Sequence, residues 1–438
     1  MRALSLLLLA LFALPSSAVA DEGDAFDLHA ALDAARSKTT AKERRQAALL
    51  LSRRPGLSTA QVIEAIWTLP PPAAPETGSS VVTARVEVDG APTDVRVHLY
   101  VPESYNSEKA APLLMAFHGT GGSGRSDVQS WSGVAEALGM IVVAPDDHGE
   151  NVGYRFTTDE RDAALGVLRW ARLHFNVDAG RIHATGVSRG GHLTWDLALR
   201  HPDLFASIAP MIGGPRLSFV GGQNNTRYVA NVARLPIRDL QGSRDDPRLL
   251  ANLHFVFERL EALGAADAEL IEFPELGHSF EYSAVDWNTF FGEARRPAWP
   301  ERAVRAGART TETRAFFVEI TKYERGISPG FRPKVDPKKF QRLDEDGQRR
   351  EVLRQIEKAT AVLDVTRKAP FRYEATGRGV RAWRLLLPAN EVDGETAVVV
   401  RWKGRTTKRR PKRDLAVLLT DWVERLDPGF LPVAELKL

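Results

Sequence analysis

From Val81 onward, short apolar runs alternate with longer stretches whose apolar residues recur every three or four positions. The runs Leu113–Phe117, Met140–Ala144, Ile182–Val187, Ser207–Met211, Ile237–Leu240 and Glu269–Phe273 have the length of strands. Between and after them, Val128–Leu138, Glu160–Phe175, His192–Leu199, Arg248–Leu263 and Ala284–Phe291 carry helical periodicity. Val82–Val88 and Val95–Val101 flank Asp89-Gly90, which predicts an antiparallel hairpin. Strands spaced by helices in this way predict an α/β domain with a mostly parallel sheet and an antiparallel edge.

The pattern differs at both ends. Residues 22–69 read as helical, with Phe26, Leu28, Ala31, Leu32 and Ala35 on one face and Ala47, Leu50 and Leu51 on another. Ser58 with Gln61 three residues later is a capping box for a third helix, stopped by Pro70-Pro71-Pro72 within a linker, residues 70–80. After about residue 300 the alternation stops. Residues 313–320, 379–387 and 396–402 read as strands and Asp414–Glu424 as an amphipathic helix, a β-rich second domain. The expected division is therefore 1–20, 21–79, 80–300 and 301–438.

The first twenty residues are of another kind. Arg2, an apolar stretch Ala3–Leu14 and the small-residue site Ala18-Val19-Ala20 predict a signal peptide cleaved after Ala20. Twelve residues are too few to span a bilayer, so the expected product is periplasmic or secreted. Composition changes the picture in one respect: the chain has no Cys. A cysteine nucleophile, a thiolate metal site and disulfides are excluded. The net charge of +3 demands no nucleic-acid partner. The positive excess is local, in Arg401–Arg413, with eight basic residues and no acidic one. A solvated hairpin is the plain reading, and contact with an anionic polymer is the functional one.

Gly186-Val187-Ser188-Arg189-Gly190 is a G-x-S-x-G where a strand ends and a helix begins. A nucleophilic serine needs that tight turn to stand clear of the sheet, and small residues two before and two after it. Its base should lie in a later loop. His192 and His201 are on or beside the next helix and His254 is within another. His278, in the loop after the last strand, is the candidate base. The acid is expected after Ile237–Leu240, where Asp245 fits a Gly-x-x-Asp turn and Asp246 suits a helix cap before Pro247. His118-Gly119-Thr120-Gly121-Gly122 follows another strand, and its backbone can turn N–H groups toward an oxyanion. The candidate donors are the N–H groups of Thr120 and Arg189, with His118 holding the loop. No metal motif is present in the sequence, and no cofactor is expected. His148 is a loop residue without an assigned role, and Ile212–Leu235 is short for a lid.

The stretch GRIHATGVSRGGHLTWDLALRHPDLFASIAPMIGG, Gly180–Gly214, resembles the nucleophile region of secreted bacterial esterases and predicted peptidases of the α/β-hydrolase fold. That group includes feruloyl-esterase-like, polyhydroxybutyrate-depolymerase-like and prolyl-oligopeptidase-like members. LYVPESY and PLLMAFHGTGG upstream, and IEFPELGHSF and FFGEARRPAWPERAV downstream, are similar to the same group, so the resemblance spans roughly residues 80–325. It implies hydrolysis of an ester or peptide bond through an acyl-enzyme and points to Ser188, Asp245 and His278. Two positions depart from the pattern. Gln241 stands where many relatives carry His, and Arg189 replaces an uncharged residue. A cation there is expected to favour anionic substrates. Carboxylic-ester hydrolysis leads, a serine peptidase is the alternative, and an inactive glycan-binding protein is a third reading.

Overall fold

The computed structural model describes residues 26–73, 75–147, 152–217, 224–330 and 334–438. The signal segment, His148 and part of Ile212–Leu235 lie outside the described residues. Three helices come first among the described residues, α1 (Leu28–Arg36), α2 (Ala41–Ser52) and α3 (Thr59–Trp67). Thr40 with Glu43 and Ser58 with Gln61 form capping boxes at the starts of α2 and α3.

Strands β1 (Gly78–Val88) and β2 (Ala91–Val101) form the expected hairpin. Its two-residue turn, Asp89 at φ 50° and Gly90 at φ 76°, matches the twist of the strands it joins. Then follow β3 (Ala111–Phe117), α4 (Gly124–Leu138), β4 (Ile141–Pro145), α5 (Thr158–His174), β5 (Val177–Val187) and α6 (Arg189–Arg200). The series ends with β6 (Ser207–Met211), β7 (Ile237–Gly242), α7 (Pro247–Ala262), β8 (Ala268–Phe273) and α8 (Trp287–Glu293). They build an eight-stranded sheet in the order β1-β2-β4-β3-β5-β6-β7-β8. Pairing is antiparallel at β1, β2 and β4 and parallel from β4 to β8.

Both faces of this sheet are covered, which is why its strands read as continuous apolar runs. Leu113, Met115 and Phe117 of β3 join the core beneath α5, α6 and α7, while Leu114 and Ala116 join the one beneath α4 and α8. The chain leaves β3 toward β4 on one side and returns to β5 on the other. The loops after β3 and β5 therefore diverge and open a crevice at the strands' carboxyl ends. This is the α/β-hydrolase fold.

The remaining residues form two antiparallel-rich sheets. One contains β10 (Arg314–Ala315), β11 (Val318–Tyr323), β14 (Val380–Leu387) and β17 (Ala434–Lys437). The other has the order β16 (Arg405–Arg409), β15 (Val398–Trp402), β13 (Arg372–Arg378), β12 (Ala361–Ala369) and β9 (Arg302–Gly307). Helices α9 (Pro337–Phe340), α10 (Glu345–Lys358) and α11 (Leu415–Arg425) lie among these strands in the chain. The single strand expected over 313–320 is two, because Phe316 at φ 51° turns the chain between Ala315 and Val318.

Helices α1–α3 do not stand apart from this region. Leu32, Ala48, Val62 and Ile66 share one core with Leu385, Val400, Trp422 and Phe430. Two arginines of α5 fasten that assembly to the hydrolase sheet. Arg169 donates to the carbonyls of Val423 and Glu424 and to that of Arg36, and Arg172 donates to that of Arg425. These are the terminal carbonyls of α11 and α1, where unpaired acceptors and the negative ends of the helix dipoles favour cations. Burial pulls Arg169 down to about 9 and Arg172 to about 10.

Candidate active site

Ser188 occupies the turn between β5 and α6 at φ 54° and ψ −110°. A non-glycine residue in that region is strained and is held only where its surroundings over-determine it. The surroundings do so here. Ser188 N–H donates to the Met211 carbonyl at 2.8 Å. A Cβ on Gly186 would strike the backbone of Gly190, and one on Gly190 would overlap the Phe117 carbonyl oxygen. The two glycines of the pentapeptide are therefore required by contact between β5, α6 and β3.

The loops after β7 and β8 are stitched together beside the serine. Ser243 N–H donates to the Phe273 carbonyl at 3.0 Å and Arg244 N–H to that of Leu276 at 2.8 Å. Gly242 lies so close to Gly277 that a side chain on it would overlap the Gly277 carbonyl. This clamp brings His278 between its two partners. His278 Nε2 is 2.8 Å from Ser188 Oγ and Nδ1 is 2.8 Å from Asp245 Oδ2. With Nδ1–H donating to the carboxylate, Nε2 accepts from the serine hydroxyl. The His278 side chain is 52% exposed and that of Asp245 only 9%.

Partial burial pushes the Asp245 carboxyl up. Hydrogen bonds from His278, the Asp246 N–H and Gln241 outweigh it and hold the group below the ordinary carboxylate value. Gln241, wholly buried, donates from Nε2 to Asp245 Oδ2 at 2.8 Å, the same oxygen that faces His278. Sequence reasoning met this residue only as a departure from a pattern. Asp246 does something else. Its Oδ1 accepts from the Arg248 N–H at 2.9 Å and caps α7.

The glycine loop after β3 lies against the nucleophile, since a Cβ on Gly119 would stand 3.7 Å from Ser188 Cβ. Thr120 follows in that loop. Arg189 opens α6, so its N–H is one of the donors a helix start leaves without an intrahelical acceptor. His118 is buried, with Nδ1 2.8 Å from the Gly119 carbonyl and Nε2 3.5 Å from Asp147 Oδ1.

The guanidinium of Arg189 corrects an expectation. It is buried and bonded to Asp147, to Glu160 at 3.1 Å and to the Val152 carbonyl at 3.2 Å. Its charge is spent on the protein's own carboxylates, so it does not attract an anionic substrate. The network missed from the sequence is Arg189–Asp147–His118, which joins the start of α6 to the glycine loop; burial pushes the Asp147 carboxyl up. The other histidines are engaged elsewhere. His192 Nδ1 meets the Gly214 backbone and is pulled down by burial, His201 is pulled down to about 4 by burial, and His254 faces Glu272 at 3.0 Å.

Comparison with known proteins places residues 90–252 on the family model described as "Putative esterase". Feruloyl esterase B of Neurospora crassa is 28% identical over 155 residues, covering 32% of this chain and 51% of that protein. A protein of Aspergillus flavus named "Probable acetylxylan esterase A" is 24% identical over 180 residues, covering 35% and 58%. Poly(3-hydroxyalkanoate) depolymerase C of Paucimonas lemoignei is 28% identical over 136 residues, covering 28% and 32%. The chain thus spans between a third and three-fifths of the length of these relatives.

Proposed function

We propose, from the esterase-family match of residues 90–252 and the geometry above, that this protein is a serine hydrolase of carboxylic esters. The observation that carries the reading is His278 seated between Ser188 Oγ and Asp245 Oδ2, each at 2.8 Å. Ser188 Oγ attacks the ester carbonyl carbon while His278 Nε2 takes the hydroxyl proton. Asp245 keeps the Nδ1–H tautomer and stabilises the imidazolium. The N–H groups of Thr120 and Arg189 hold the oxyanion of the tetrahedral intermediate. Its collapse expels the alcohol, which receives the proton from His278, and leaves an acyl-serine. Water, deprotonated by His278, then adds to the acyl carbon and releases the acid. The sequence at the amino terminus supports export with cleavage after Ala20, and the 401–413 stretch supports contact with an anionic polymer.

A fluorophosphonate probe tests the nucleophile. The purified protein is expected to label and Ser188→Ala to remain unlabelled, while labelling that survives the substitution defeats the assignment. Aryl acetates and butyrates should be hydrolysed far faster than peptidyl anilides, and the opposite order would make the protein a peptidase. Amino-terminal sequencing of the exported protein should begin at Asp21.

A further inference from the structure

We propose that the solvent face of the five-stranded sheet β16-β15-β13-β12-β9 is a docking surface for an acidic polysaccharide. The inference builds on the anionic-polymer contact proposed above, and it moves that contact from a stretch of sequence to a face of the fold. Register decides which cations share the face. Lys408 lies opposite Val399, which lies opposite Arg372, and Thr406 lies opposite Arg401, which lies opposite Glu374. Paired positions point to the same side of a sheet. The alternate positions, Tyr373, Val400 and Val398, are buried in the core, so Arg372, Arg401 and Lys408 point to solvent.

The same alternation continues across the sheet. Arg378 lies two pairs beyond Thr376 on β13, and Arg302 of β9 lies opposite Thr366 of β12; Ala306 and Val362 on this side pack against the hydrolase core, so the face opens to solvent away from those two residues. Lys368 sits at a bulge in β12 with Nζ 3.7 Å from Glu374, which puts it on this face. The described residues thus give six cations here, Arg302, Lys368, Arg372, Arg378, Arg401 and Lys408, against two carboxylates, Asp364 and Glu374. Six minus two leaves an excess of four positive charges. Arg302 is committed to Asp364 at 2.5 Å, and Lys368 and Arg401 share Glu374. Strands of five to nine residues and the four spacings between them make a patch about 20 Å on a side.

Most of the basic stretch points elsewhere. Arg405 and Arg409 pair with Trp402 and Val398 on the other side of the sheet. Arg410 bonds the Glu395 carbonyl, and Arg413 bonds those of Val392 and Ala389. Of its eight cations, the strand register puts Arg401 and Lys408 on the face.

The chemistry of the face selects among polyanions. Single-stranded nucleic acid is held by aromatic stacking, and none of the exposed large apolar side chains lies on these strands. Duplex DNA is read by an element that enters a groove, and a broad flat sheet offers none. Long cationic side chains interleaved with the hydroxyls of Thr366, Thr376 and Thr406 suit a ribbon of carboxylates and sugar hydroxyls.

Affinity electrophoresis of the full chain through polygalacturonate, neutral galactan or duplex DNA tests this, at about 20 mM and about 0.5 M salt. Retardation by polygalacturonate at low salt, lost at high salt and absent with galactan, is expected. Arg372→Gln/Arg401→Gln/Lys408→Gln should weaken it about tenfold or more. Arg405→Gln/Arg409→Gln/Arg410→Gln removes the same charge and should weaken it less than about threefold. Equal losses in the two triple variants, no retardation, or tighter binding of DNA would each overturn the proposal. If the first triple variant does not fold by circular dichroism, Arg372→Glu alone carries the same comparison. Hydrolysis of a small aryl ester is measured beside it. A wild type that binds but does not hydrolyse defeats the esterase reading and leaves the surface standing.

Discussion

Asp245 and Asp246 are neighbours with the same side chain, and position alone separates their work. The Gly-x-x-Asp spacing favours the first, and the structure brings Asp245 to His278 while Asp246 caps α7. Asp245→Asn is expected to cost on the order of 10⁴ in turnover, because an amide cannot hold the required His278 tautomer. Asp246→Asn should leave turnover within a few fold and shift stability by less than about 1 kcal/mol, since Asn also caps helices. Steady-state kinetics on an aryl ester and a thermal melt check both, and the reverse ranking would move the acid. Gln241 adds a second residue-scale test. It donates to the oxygen of Asp245 that faces His278, while its own Oε1 is buried without a partner. Gln241→Met keeps the volume and removes that donor. The Asp245 carboxyl then loses one of the hydrogen bonds that hold it down, rises, and gives up its charge at a higher pH. The acidic limb of the kcat/KM profile should move to higher pH, whereas a residue that only packs would change rate or stability and leave the limb in place. Nothing in the sequence marked Gln241 as a donor, because its acceptor is defined by the fold of the loop after β7.

Elements were legible where one physical rule governed them. The strands β3 to β7 are buried on both faces and read as apolar runs, and the hairpin β1-β2 was marked by Asp89-Gly90 at its turn. Strands β12 and β13 were not found. Their outer positions are Asp364, Thr366, Arg372, Glu374 and Arg378, so the apolar half of each pattern is interrupted by charge. The helix start at Arg189 was legible, but its ionic partner was not, for Asp147 lies 42 residues away after β4. That partnership joins both loops that supply the proposed oxyanion donors: Arg189 carries one N–H, and His118, beside Asp147, holds the carbonyl of Gly119 next to Thr120. Asp147→Asn should therefore lower kcat about 10- to 100-fold with KM nearly unchanged. Affinity for a boronic-acid transition-state analogue should fall in proportion, and a variant that loses kcat without losing that affinity would place the network outside the oxyanion site.

At the scale of the whole molecule, buried ion pairs join parts of the chain that lie far apart in sequence. Arg425 Nη1 meets Asp203 at 2.7 Å, Arg296 meets Asp427 at 2.5 Å, and Arg200 meets Glu312 at 2.5 Å. These links, like the core that α1–α3 share with α11, are contacts between distant segments and leave no periodic trace in either one. Burial alone would raise the Asp203 carboxyl, but Arg425 and Arg314 prevail and bring it down to about 2. A carboxyl lowered on folding contributes stability above its unfolded value of 3.8, and that contribution is lost as pH falls from about 4 toward 2. Asp196, lowered to about 2 by Arg200 and Arg161 against its burial, acts in the same window. The wild-type protein should hold its urea midpoint down to about pH 4 and lose it steeply below. Arg425→Met tests the joint directly, because it leaves the Asp203 carboxylate buried without its nearest cation. At pH 7 the loss should be about 3–5 kcal/mol. In that variant the Asp203 carboxyl rises from its wild-type position, so protonation relieves the penalty sooner and the gap to wild type narrows as the solution is acidified. Adding Asp203→Asn removes the stranded charge and should recover at least half of the loss at pH 7. If the double variant is no more stable than Arg425→Met, the cost lies in lost packing of the arginine stem, and the ion pair does not fasten the two regions.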